Sequence, residues 1–66
     1  MYGRGGCHLC EQMAAELRAL GVAFEEIDVD SDPELRLKYG RDVPVLVFED
    51  RVYKHRLTPE AIAKLR

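Results

Sequence analysis

The sequence predicts a small mixed α/β fold: one sheet with helices packed on it. Three observations predict it. Helix-patterned and strand-patterned segments alternate through the first two thirds of the chain. Val45-Leu46-Val47-Phe48 is a short, unbroken apolar run of strand length. A turn and a second short strand follow it directly, which makes the end of the sheet a hairpin. The 66 residues suffice for a single domain, 1–66. At this length folding buries only ~60% of the surface an unfolded chain exposes, so a large substrate cavity is not expected. Hydrophobic residues make up 47% and charged residues 33%, a globular balance and not a disordered one. The net charge of −2 argues against a nucleic-acid binder, which usually carries a basic face. No apolar run approaches the ~20 residues of a membrane helix, and no signal peptide is visible. The expected location is the cytoplasm.

Met1-Tyr2-Gly3-Arg4-Gly5-Gly6 offers two strand-like residues and then turn residues. It is not a phosphate loop, because no long strand precedes it and no Gly-Lys-Ser/Thr follows. The first helix is predicted from His8 to Leu20. Leu9, Met13, Leu17 and Leu20 form one apolar stripe, Ala14, Ala15 and Ala19 add helix propensity, and Gly21 stops it. Val22 to Val29 reads as a strand, with Phe24, Ile27 and Val29 as its apolar weight. Asp30-Ser31-Asp32-Pro33 is a turn into the second helix, with Asp32 as N-cap and Pro33 at its first position. That helix runs to Tyr39, and Gly40 ends it. The acidic residues from Glu25 to Glu34 read as a solvated surface with capping duties.

Val45 to Phe48 is expected to be buried on both faces. Glu49-Asp50-Arg51 is read as the hairpin turn and Val52-Tyr53-Lys54 as the returning strand. Thr58 caps the last helix, Pro59 opens it, and Ala61, Ile62 and Leu65 give its inner face.

The chemistry is concentrated in Gly6-Cys7-His8-Leu9-Cys10, which holds both cysteines of the chain. A bridge across so short a separation closes almost no loop and is a poor staple, and structural disulfides are rare in the cytosol. The pair is therefore reactive or metal-binding.

Cys7-His8-Leu9-Cys10 at a helix start, Val43-Pro44 directly before an apolar strand, and the element order from Cys7 to Arg66 together resemble the thioredoxin fold. Within that fold they resemble the small bacterial glutaredoxin-like proteins. The resemblance implies a thioredoxin-like sheet whose first strand lies in its middle, between the strand near Phe24 and the strand near Val47. Only Met1-Tyr2-Gly3 remain here to supply it, about 10 Å of chain against a usual strand of ~5–6 residues. A first strand this short leaves two inner strand edges exposed. Either a stub suffices, a neighbouring chain completes the sheet, or the natural protein begins upstream of Met1; the last is the expectation. A second departure concerns glutathione. Typical glutaredoxins bind it with a Gly-Gly turn and a Thr-Asp helix start, where this chain has Lys54-His55-Arg56-Leu57-Thr58-Pro59. Glutathione is thus an optional electron donor and not an expected resident cofactor.

The resemblance implies a thiol–disulfide oxidoreductase serving cell redox homeostasis. A thiolate, not a thiol, attacks a disulfide, and a free cysteine with pKa ~8.5 is mostly protonated at neutral pH. Placing Cys7 at a helix N-terminus favours its anion, and Arg4 or His8, where protonated and close, would add to that. Cys7 is the candidate nucleophile and Cys10, one turn on, the candidate resolving cysteine. The resemblance also implies a cis Val43-Pro44 bond, a form that X-Pro bonds adopt in only about 5–6% of cases. A cis proline would turn the chain beside the cysteines and leave the Val43 backbone free for an extended substrate, so Val43, Pro44, Arg4 and His8 form the expected substrate side. Tyr2, Arg41, His55 and Arg56 are read as ordinary surface residues. The chain is expected to be a monomer, and its expected partner is a disulfide-bearing protein or a low-molecular-weight thiol, with no nucleic acid and no membrane. Two alternatives stay open at this level. One is a metal or iron–sulfur module, although Cys-x-x-Cys supplies only two of the four ligands a structural zinc needs. The other is an interaction domain with idle cysteines.

Overall fold

The computed structural model describes residues 1–65. Its elements are β1 (Tyr2–Gly3), α1 (His8–Ala19), β2 (Ile27–Asp28), a 3₁₀ turn (Val29–Ser31), α2 (Pro33–Tyr39), β3 (Val45–Phe48), β4 (Arg51–Lys54) and α3 (Pro59–Leu65). The four strands form one mixed sheet in the order β2-β1-β3-β4. β1 runs parallel to β2 and antiparallel to β3, and β3 and β4 form an antiparallel hairpin. The first strand is a two-residue stub in the middle of the sheet, as expected.

The helix boundaries follow local chemistry. Cys7 is the N-cap of α1, and the helix closes at Leu20. Gly21 then takes φ +73, a left-handed conformation that glycine adopts without a Cβ penalty. The Gly21 and Val22 amides turn back to donate to the Arg18 and Leu17 carbonyls, which satisfies the helix's last acceptors. The Asp32 carboxylate accepts from the Glu34 N–H at 2.9 Å, and the Thr58 hydroxyl accepts from the Ala61 N–H at 3.1 Å. Both predicted caps are in place.

The core lies between the sheet and α1 and α3. Met13, Leu17, Leu46, Leu57, Ala61 and Leu65 are buried together, with Met1, Val22, Phe24, Phe48 and Tyr53 packed around them. Leu9 is 43% exposed, so the predicted apolar stripe of α1 begins at Met13; Leu9 instead fringes the cysteine loop.

Three expectations are corrected. The Val22–Val29 strand shrinks to Ile27–Asp28, because a strand exists only where a partner lies beside it and β1 offers two residues. Val29 belongs to the 3₁₀ turn, capped by Asp28, whose carboxylate accepts from the Asp30 N–H at 2.9 Å. β3 is buried only in its first half: Val45 and Leu46 are buried, whereas Val47 is 45% exposed, because α2 is short and buries no residue fully. The hairpin turn is Glu49-Asp50, with Arg51 already in β4 opposite Phe48. Glu49 accommodates the two-residue turn with φ +57.

Candidate functional site

Gly6, with φ +75, ends the loop after β1 and delivers Cys7 to the start of α1. Cys7 has extended backbone angles, as an N-cap requires. Its sulfur takes the part that a serine or aspartate oxygen plays at other helices: it accepts the Cys10 N–H at 3.2 Å. The Cys7 carbonyl accepts from Glu11. The sulfur thus sits at the N-terminus of a 12-residue helix, at the positive end of its dipole. Cys7 is half-buried, and Cys10 is 4% exposed.

The two cysteines form a disulfide, with Cα atoms 5.2 Å apart, inside the usual range. One helical turn brings them together. Cys10 is the inner partner and rests on the central strand: a Cβ at Gly3 would lie 3.1 Å from the Cys10 Sγ and 3.3 Å from its Cβ. Gly3 was readable only as a strand end or turn glycine. Its packing duty depends on which strand passes beneath α1, which local sequence does not reveal.

The Val43-Pro44 peptide bond is cis. Pro44 is fully buried and Val43 half-buried. Tyr2 pairs with Val45, so the antiparallel register, continued by one and two residues, sets Gly3 opposite Pro44 and Arg4 opposite Val43. The proline therefore stands one strand over from the glycine that carries Cys10. The Pro44 carbonyl accepts from the His55 N–H at 2.8 Å, on the β4 side. Among the described residues, the Val43 N–H and carbonyl make no backbone hydrogen bond.

The remaining predicted site residues are placed less centrally. His8 is the first residue of α1 and is exposed. Arg4 donates from Nη2 to Asp30 Oδ1 at 3.1 Å, which ties the end of β1 to the 3₁₀ turn. Its Nε is buried without a hydrogen-bond partner among the described residues. From the sequence, Asp30, the partner of Arg4, is legible only as a turn residue. Tyr2 stacks on Tyr39, with ring centroids 4.4 Å apart, and so docks α2 on the central strand instead of lining an open rim. Arg41, His55 and Arg56 are exposed. Beside the disulfide, between α1 and β2, lies a cleft of about 380 Å³ whose walls include Gly3, Arg4, Cys10, Glu11, Arg18 and Asp28.

Among the described residues, no three His, Cys, Asp or Glu side chains converge on one point, so the cysteine pair offers a metal two sulfurs. No helix is long and apolar enough to cross a membrane among the described residues.

A comparison with family models matches residues 1–65 to the glutaredoxin-like domain (DUF836). No curated protein and no solved structure shows a significant match.

Proposed function

The chain belongs to the glutaredoxin-like domain family and has its thioredoxin-like fold, and from that membership and the geometry around Cys7 we propose that it is a thiol–disulfide oxidoreductase. The observation that carries the proposal is the Cys10 N–H directed at the Cys7 sulfur, at the N-terminus of α1. A donor and a helix end aimed at one atom favour its anionic form. Cys7 is also the more exposed of the two cysteines.

The cycle starts from the dithiol. The Cys7 thiolate attacks one sulfur of a partner disulfide, forming a Cys7–partner bond and expelling the other partner sulfur as a thiolate, which takes up a proton. Cys10 loses its proton and attacks the Cys7 sulfur. The Cys7–Cys10 bond forms, and the second partner sulfur leaves as a thiolate. The partner has gained two electrons and the protein has lost them, giving the disulfide form. A low-molecular-weight thiol of the glutathione class, or a dithiol reductase, then restores the dithiol. The unpaired Val43 backbone is the seat for an extended substrate segment, beside Pro44. Arg4 lends positive charge at the entrance, where His8 stands exposed at the first position of α1. The partner is a disulfide-bearing protein or small thiol of the cytoplasm, and the working form is a monomer.

The test is a reductase assay on mixed and protein disulfides with single cysteine variants. Cys7→Ser abolishes turnover, because the nucleophile itself is gone. Cys10→Ser accumulates a mixed disulfide at Cys7, visible by mass spectrometry. Wild-type turnover in both variants would refute the proposal.

A further inference from the structure

Three residues that read singly as ordinary surface meet at one corner of the site. Arg41 lies two residues before Val43, and His55 and Arg56 directly follow β4. Two bonds hold their loops together. The His55 N–H donates to the Pro44 carbonyl at 2.8 Å, and Lys54 Nζ donates to Asp42 Oδ2 at 3.3 Å. Successive residues of a strand direct their N–H and C=O to alternate sides. The Pro44 carbonyl bonds toward β4, so the unpaired groups of Val43 face away from it. Arg41, His55 and Arg56, all exposed, thus form a wall behind the Val43-Pro44 seat.

The wall is basic, and its charge is uncompensated. Asp42, one residue before Val43, is the carboxylate nearest the seat in sequence, and Lys54 neutralises it. Neither Arg41 nor Arg56 forms an ion pair among the described residues. On the β2 side the acidic groups are engaged: Asp30 with Arg4, Asp28 and Asp32 with capping N–H groups. Glu11 lines the cleft beside Cys10. A chain of net charge −2 therefore turns a positive wall toward its substrate. His55 adds a second observation. Its φ of +69 lies in the left-handed region, which glycine enters without cost and other residues do not. A side chain kept on strained backbone, one hydrogen bond from the cis proline, points to a use for it there.

Granted the oxidoreductase reading, on which this rests, we infer that Arg41, His55 and Arg56 dock an acidic protein segment: an extended chain whose disulfide cysteine is flanked by Asp or Glu. The guanidinium fork bonds both oxygens of a carboxylate. Arg41 and Arg56 stand on separate loops, so carboxylates that meet both are spread along a chain. Opposite charge at the seat speeds the encounter with such a segment and turns basic segments away.

The experiment measures kcat/KM on disulfide peptides that differ only in the residues flanking the cysteine, Glu in one and Lys in the other. The Glu peptide exceeds the Lys peptide by about tenfold at low salt, the effect of two partly exposed ion pairs. The ratio falls below about threefold at 1 M salt, where the screening length is about 3 Å. Arg41→Gln/Arg56→Gln brings the two peptides level through KM. Arg51→Gln/Lys64→Gln removes the same charge from the far end of the hairpin and the last turn of α3, and keeps the preference. His55→Gly raises the urea midpoint, because the strain is gone, yet raises KM for the Glu peptide. Equal kcat/KM for the two peptides in the wild type, a preference that survives Arg41→Gln/Arg56→Gln, its loss in Arg51→Gln/Lys64→Gln, or an unchanged KM in His55→Gly would each overturn the inference. Oxidised glutathione is the small acidic disulfide for comparison; a kcat/KM for it at or above that of the Glu peptide would overturn the protein-segment assignment. Turnover of neither peptide nor glutathione would instead refute the oxidoreductase reading, and the docking surface with it.

Discussion

At the scale of single residues, Gly3 and Cys7 set the geometry of the cysteine pair. Cys7 holds the cap position because its sulfur can accept a backbone N–H. Gly3 matters because it has no side chain where Cys10 rests. A methyl group there would stand 3.1 Å from the Cys10 sulfur and 3.3 Å from its Cβ, tighter than ordinary van der Waals contact. Both neighbours are held, one in a helix and the other in the central strand, so neither can retreat freely. Gly3→Ala therefore destabilises the protein by about 1–3 kcal/mol, the usual cost of an overpacked interior, read as a lower urea midpoint with an unchanged m value. Cys7 and Cys10 were readable from spacing alone, because a helix start and a one-turn separation are local facts. The Gly3–Cys10 contact was not, because it joins a strand to a helix through tertiary packing.

At the scale of elements, the ends were readable and the extents were not. Asp32, Thr58 and Gly21 each act on backbone groups within four residues, so their sequence positions carried the helix boundaries. Strands obey a partner. Phe24 and Val29 look as strand-like as Ile27, yet only Ile27–Asp28 pairs, since β1 presents only Tyr2 and Gly3. The tight β3–β4 turn offers a test at this scale. Glu49 sits at φ +57, a conformation that costs an L-residue roughly 1–2 kcal/mol. Glycine adopts it freely but brings a more flexible unfolded chain. Glu49→Gly is thus net stabilising by about 0.5–1 kcal/mol, seen as a higher urea midpoint with an unchanged m value.

At the scale of the whole molecule, one small core carries the structure. A chain of this size has a stability of roughly 3–10 kcal/mol, at about 0.05–0.15 kcal/mol per residue. The ion pairs add little to it. Arg18–Glu26 and Lys54–Asp42 are largely exposed and Arg4–Asp30 partly so, and exposed pairs contribute about 0–1 kcal/mol each. Leu17, fully buried at the centre of the cluster, is the residue on which most depends. Leu17→Ala costs about 2–5 kcal/mol, comparable with the total. The expected outcome is a chain substantially unfolded at 37 °C by circular dichroism; a Tm lowered by only a degree or two would show that the core is not concentrated there.

The ring stack of Tyr2 on Tyr39 gives the molecule an optical signature of its own. The chain has three tyrosines and no tryptophan, and two of the three lie face to face at 4.4 Å, one on the central strand and the other at the end of α2. Their coupled transitions report, in the near-ultraviolet, whether that strand is docked, and hence whether the floor beneath the cysteines is intact, with no label attached.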